Sequence, residues 1–287
     1  MTELAKSSYW TEMEQKITNE LVLKTQRRFG QFEHKINDVI QQIIDSYELS
    51  YKSDVIMDNG AIYSGEMRNN QRCGRGTQIW KDGSIYEGTW LDGQAFGFGR
   101  QIHSDGDMYQ GNWNENKSSG YGEYYHQNGA VYKGEWSEDK QDGKGMEKWP
   151  NGNQYIGFYK QGQKEGKGRY IWSDGSEYNG DFCQNDIQGQ GIYKWSDGRI
   201  YEGQWKYNKM DGYGTYIWTD GRKYIGNYKE DKKQGYGKFV WPDGRSFEGL
   251  WENGKQHGEG VFITENGQRK KGVWCEGIRT KWLEEEQ

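Results

Sequence analysis

Tyr-x-Gly stands at Tyr63, Tyr86, Tyr109, Tyr132, Tyr155, Tyr178, Tyr201 and Tyr224, each 23 residues from the last, and Phe247 and Lys270 hold the next two places. No insertion or deletion breaks the step. Eleven residues into each unit comes Gly-x-Gly, from Gly74/Gly76 to Gly258/Gly260, and each unit closes on Asp-Gly or Asn-Gly, from Asp82-Gly83 to Asn266-Gly267. Asn59-Gly60 belongs to a partial unit before the first. A fixed period makes each unit one supersecondary element that buries its apolar face against its neighbours. Composition says which residues can form that face. Hydrophobic residues are 32% of the chain and aromatic residues 16%, so rings make up half of the apolar content. Aliphatic residues are too few for a conventional core, and the 43 glycines fall in register with the rings.

Strand residues alternate faces with period two. Tyr86, Gly88 and Trp90 therefore share a face, as do Gly166, Gly168, Tyr170 and Trp172. Pairing Trp90 with Gly97 places Gly88 opposite Gly99 and Tyr86 opposite Gln101. Between units, a two-residue turn would pair Ile102 with Tyr109 and scatter the aromatics over both faces. A three-residue loop, Ser104-Asp105-Gly106 with Gly106 left-handed, pairs Gln101 with Tyr109 and keeps every ring and glycine on one face. The expected result is a row of glycines crossing the strands, where a sheet can bend sharply, with each Trp lying over neighbouring glycines. The implied shape is an aromatic-lined trough.

Tyr-x-Gly-x-Trp, a short polar loop and Gly-x-Gly-x-Tyr-x-Trp-x-Asp-Gly together resemble the MORN motif (membrane occupation and recognition nexus) over roughly residues 55–280. The resemblance implies an all-β repeat fold, an elongated antiparallel array of 23-residue β-hairpins, and the residues before it are expected to form an N-terminal α-helical segment. The expected division is 1–54 for that segment, 55–280 for the array, with about nine full repeats from residue 63 and partial units at each end, and 281–287 for a tail. As a guide to function, the resemblance points first to a non-enzymatic scaffold, similar to radial-spoke head proteins of cilia and cytoskeletal organisers. Its alternative is a phospholipid-associated or kinase-regulatory module, as in plant phosphatidylinositol phosphate kinases and junctophilins. A MORN-SET methyltransferase is excluded on the expectation that the array fills the chain.

Residues 1–54 carry seven Lys/Arg and nine Asp/Glu, and the chain as a whole has a net charge of −5. No basic block offers a phosphate-backbone footprint, so no nucleic-acid partner is expected. Binding to membrane lipid is not favoured. No apolar run is long enough to cross a membrane, and the first fifteen residues have no apolar core of a signal peptide. Cys183 and Cys275 lie four periods apart, too far in any such array for a disulfide. This points to a reducing, cytoplasmic setting, and the resemblance implies association there with the cytoskeleton or a cilium. Phe29, Phe32, Ile36, Val39, Ile43 and Tyr47 step by three and four, which predicts an amphipathic helix with Thr11-x-x-Glu14 as a capping box and Gly30 as an interruption. That helix could cover the edge of the first hairpin, fill the trough, dock a partner or pair in a homodimer.

No catalytic, cofactor-binding or metal-binding constellation emerges. His103 and His126 hold one site in adjacent repeats, two strands apart, too far to share a zinc ion. The simplest reading is a polar ring replacing Trp. Glu138, Asp139 and Asp142 lie on solvated turns. The one functional asymmetry is in the trough. The residue after Gly-x-Gly-x is Gln78, Gln101, Tyr124 and Glu147 in units one to four, and Tyr170, Tyr193, Tyr216, Phe239 and Phe262 in units five to nine. The candidate site is therefore a groove lined by Tyr170, Trp172, Tyr193, Trp195, Tyr216, Trp218, Phe239 and Trp241, receiving a helix or extended peptide from a protein partner.

Overall fold

The computed structural model describes residues 16–283, which divide at Pro150/Asn151 into two compact units. The first holds α1 (Glu20–Phe29), α2 (Asp38–Asp45) and nine strands, β1 (Ser50–Ile56), β2 (Ile62–Arg68), β3 (Gln71–Ile79), β4 (Ile85–Leu91), β5 (Gln94–Ile102), β6 (Met108–Asn114), β7 (Lys117–Tyr125), β8 (Val131–Ser137) and β9 (Lys140–Lys148). The second runs from β10 (Gln154–Lys160) to β21 (Ile278–Trp282). Within each unit every strand pairs antiparallel with the next in the chain. The all-β hairpin array read from the sequence is what forms.

The inter-unit loop is the three-residue one. His103 N–H donates to Asp107 O at 2.8 Å, Gly106 N–H donates to His103 O at 2.9 Å, and Gly106 has φ +86°. Gln101 faces Tyr109 as the parity argument required. The hairpin turn differs. Asp92 and Gly93, both at positive φ, form a two-residue turn that sets Trp90 opposite Ala95, not Gly97. Gly88 still faces Gly99, so β5 carries two more residues than β4 between these pairs. An even excess preserves alternation, and the aromatic face survives the bulge. Gly97 absorbs it at φ +69° and faces Trp113 of the next unit.

The rings also divide their work differently from the expected pattern. The tyrosine, not the tryptophan, lies over the glycine row. The rings of Tyr63, Tyr86, Tyr109, Tyr132, Tyr155, Tyr178, Tyr201 and Tyr224 all crowd the two glycines of their own hairpin, leaving no room for a Cβ. Each hydroxyl donates to the carbonyl three residues on, at 2.8–3.2 Å. Trp90, Trp113, Trp136, Trp205 and Trp251 instead stand beside the row, and Nε1 of each donates to a glycine carbonyl at 3.1–3.2 Å. A phenol lies flat enough to share the space with two Cα atoms, whereas the indole is held upright by its hydrogen bond.

Of the helix predicted over 29–47 with Gly30 as its interruption, only α2 forms within that stretch; residues 30–37 are non-helical, and α1 ends where the stretch begins. Gly30 ends α1 at φ +70°, and α2 is capped by Asn37, whose side chain accepts from Ile40 N–H. The Thr11–Glu14 capping box lies outside the described residues; Asn19 caps α1, accepting from Leu21 and Val22 N–H. Ile40 and Ile44, not Val39 and Ile43, are the buried pair of α2. The helices cover the face opposite the trough. Ile17 and Val22 join Ile79, Ile85, Ile102 and Met108 in one buried cluster, and Phe32 stacks on Phe98 at 5.8 Å. Asn19 Nδ2 donates to Asp82 O and Ser104 O, and Thr25 Oγ1 donates to Gly106 O. A strand, β1, and not a helix, covers the outer edge of β2.

Candidate functional site

All eight candidate residues fall within 151–283 and form one ladder. Ring centroids are 4.6 Å apart for Tyr170–Trp172, 5.0 Å for Trp172–Tyr193, 4.5 Å for Tyr193–Trp195 and 5.2 Å for Trp195–Tyr216. The ladder continues at 4.5 Å for Tyr216–Trp218, 5.4 Å for Trp218–Phe239 and 4.7 Å for Phe239–Trp241, ending on Phe262 at 6.0 Å. The inter-unit loop produces this geometry. It brings the Trp that opens each loop to within stacking distance of the Tyr or Phe of the next unit. Tyr216 and Phe239 are buried; the other six are half-buried. Mutual stacking covers part of each ring and leaves a strip facing solvent.

Sequence reasoning missed the rim of this ladder. Arg199, Arg222 and Arg245, again 23 residues apart, lay their guanidinium groups over Trp195, Trp218 and Trp241 at 5.2–5.8 Å. Each pairs with the aspartate two residues before it, Asp197, Asp220 and Asp243, at 2.7 Å. Arg199 Nη1 also donates to Tyr216 OH at 3.1 Å. The signal was present in the sequence as Asp-Gly-Arg, but it reads there only as a turn.

Lys233 was missed as well. Its ammonium lies 4.5 Å from the Trp251 centroid, 4.7 Å from Phe239, 5.2 Å from Trp218 and 5.3 Å from Tyr224. Burial, aided by the Arg222 charge, lowers its pKa to about 8, while the four ring faces favour the charged form. The native state thus holds this proton less tightly than the unfolded chain. Its burial cost is constant below pH 8 and is relieved as pH rises from about 8 towards the ordinary lysine value. Met210 occupies the same place one unit earlier. Lys233→Met should therefore stabilise the protein by roughly 1–3 kcal/mol at pH 7. That advantage should shrink between pH 8 and 10, measured as the difference in urea midpoint between variant and parent. A pH-independent difference, or a loss of stability, would show that the rings fully compensate the buried charge.

Among the described residues, no group of three His, Cys, Asp or Glu side chains is placed to hold a metal ion. His126 Nδ1 instead contacts Asp107 Oδ2 at 2.9 Å. Asp139, read from the sequence as a solvated turn residue, accepts from Ser118 N–H at 2.7 Å and lines a cavity. Cys73, Cys183 and Cys275 are free thiols. No described helix is long and apolar enough to cross a membrane.

No curated protein matches the sequence. Among solved structures, the chain is similar to the TCP10 domain of Danio rerio CPAP in complex with a STIL peptide, at 13% identity and TM-score 0.44, covering 82% of this chain and 99% of that one. It is also similar to the TCP domain of Drosophila melanogaster SAS-4 with a proline-rich motif of Ana2, at 13% identity and TM-score 0.35, covering 70% and 98%. The MORN repeat profile matches residues 63–85, 86–108, 109–131, 132–154, 155–177, 178–198, 201–221, 224–244 and 247–269. Nine consecutive matches across most of the sequence, on hairpins that share one register, make the chain a member of the MORN repeat family.

Proposed function

We propose that the chain is a non-enzymatic interaction scaffold whose aromatic ladder, Tyr170 to Trp241, receives a helix or extended peptide of a protein partner. The observation that carries this reading is the open strip along the ladder. Six of its eight rings keep solvent exposure after stacking, and the described helices belong to the first unit, where they pack on the face of its strands opposite the aromatic one. Large apolar strips are costly to leave in water and mark partner surfaces. The paired arginines beside the tryptophans supply a polar rim around an apolar centre, as interfaces require. We place this scaffold in a cytoplasmic assembly of the cytoskeleton or cilium, on the family's recurrent use there. The test is crosslinking and pull-down from the native cell with the parent and with Trp195→Ser/Trp218→Ser. The expected outcome is loss of a parent-specific partner from a variant that remains folded at the temperature of the assay, since each removed ring contact contributes about 1 kcal/mol. Retained partners together with a large fall in stability would make these rings core and remove the groove.

A further inference from the structure

The cage around Lys233 recurs along the array with different contents. Opposite the hairpin Trp or its counterpart, the central position is Ala95, Ser118, Gln141, Lys164, Ile187, Met210 and Lys233 in successive units. Lysine fills the place with an ammonium and a stem, and isoleucine or methionine plugs it with hydrocarbon. Ser118 does neither. The four cage walls there are His103, Tyr109, Tyr124 and Trp136, which stand 115 residues, or five units, before Trp218, Tyr224, Phe239 and Trp251. Their geometry is closely similar. Centroid distances are 6.1 Å for His103–Tyr124, 6.0 Å for Tyr124–Trp136 and 5.2 Å for Tyr109–Trp136. In the Lys233 cage the matching distances are 5.4, 6.1 and 5.2 Å. The walls at Ser118 enclose an open cavity of about 430 Å³ with no lysine or arginine among its lining residues.

One difference favours a cation from outside. Asp139 lines the cavity at Ser118, and its counterpart at the Lys233 cage is Gly254. Lys233 is held by ring faces alone, with the charge of Arg222 acting against it. A cation at Ser118 would meet aromatic faces and a carboxylate together, which compensates its desolvation better. We propose that the cavity walled by His103, Tyr109, Tyr124 and Trp136, with Asp139 at its rim, receives the side-chain ammonium of a lysine from a partner polypeptide. The occupant is inferred from the array itself, which places its own lysine in the equivalent cage. The site lies in a different unit from the ladder and does not depend on that reading.

The test uses the full chain labelled with 5-fluorotryptophan and followed by ¹⁹F NMR, with Trp136 and Trp251 assigned by Phe substitution. N-acetyl-lysine methylamide is titrated against the neutral N-acetyl-norleucine methylamide at matched ionic strength. The lysine probe is expected to shift the Trp136 resonance saturably, and the norleucine probe to bind at least about fivefold more weakly. Ser118→Lys, which supplies an internal occupant, should abolish the shift while leaving the Trp251 resonance in place as a check on folding. Asp139→Asn should weaken binding at least about fivefold. Lys233→Ser should open a second site and make Trp251 respond. Equal shifts with norleucine, or an undiminished lysine response in Ser118→Lys, would overturn the proposal. Should Lys233→Ser fail to fold, the Ser118 and Asp139 variants still decide it.

Discussion

Gly191→Ala is expected to destabilise the second unit by about 3–4 kcal/mol, lowering its melting temperature by about 8–15 °C. A Cβ built on Gly191 would lie 2.3 Å from the Tyr178 hydroxyl oxygen and 2.4 Å from its Cε2 and Cζ. The ring has nowhere to go. It is fully buried, its hydroxyl donates to Asp181 O at 3.0 Å, and the edges of Phe182 and Trp205 meet it at 5.2 and 5.6 Å. Relief of the clash would break that hydrogen bond and part the rings. Gly175→Ala is the control. Gly175 has φ +88° but no atom within 4 Å of its Cβ position, so alanine there meets only the left-handed strain of about 1–2 kcal/mol. Contact, not backbone strain, should therefore dominate. Thermal unfolding followed by circular dichroism decides between them, and Gly191→Ala no worse than Gly175→Ala would mean that the tyrosine slides aside at little cost. In a Tyr178→Ala background the Gly191 penalty should largely vanish, since the two residues share one space.

The glycine rows behind this expectation are legible in the repeat itself. Period and parity place Gly99 opposite Gly88 and Gly111, and Gln101 opposite Tyr109, because one buried face tolerates only one register. They do not show which ring covers the glycines, since Tyr86 and Trp90 share that face and only hydrogen-bond geometry distinguishes them. They also miss the two-residue bulge at Gly97, because an even insertion leaves the hydrophobic pattern unchanged. The eight ladder residues are legible because Tyr and Trp alternate at a fixed step. Lys233 and Asp139 are not, since a lysine or an aspartate in a polar hairpin reads as solvated until the neighbouring rings are placed. The N-terminal helices are legible as amphipathic, but their docking face is not. The cluster at Ile79, Ile85, Ile102 and Met108 lies on the face that alternation assigns outward.

Arg100→Met is expected to cost about 3–5 kcal/mol at pH 7, because it would leave a buried carboxylate without its partner. Arg100 is 1% exposed and Glu87 5%, directly opposite on adjacent strands. Arg100 Nε and Nη2 donate to Glu87 Oε2 at 3.0 and 2.7 Å, and Nη1 donates to Gly30 O at 3.0 Å, at the end of α1. Burial raises the Glu87 pKa, and Arg100 acts against that rise. A carboxyl with a raised native pKa contributes stability that is present below the unfolded pKa and lost as pH climbs through the native one. Removing Arg100 raises the native value further, so Glu87 folds protonated in the variant at mildly acidic pH. The deficit of Arg100→Met should therefore be largest near pH 7–8 and shrink towards pH 5, read from urea midpoints of variant and parent. Amides of α1 should exchange faster in the variant, because the guanidinium contact that fixes Gly30 is gone. Glu87→Leu/Arg100→Met should recover most of the loss, since the desolvated charge leaves with its partner. A loss that stays constant from pH 5 to 8, or a double variant as unstable as the single, would mean that Arg100 acts through packing against Phe32 at 5.4 Å and not through its charge.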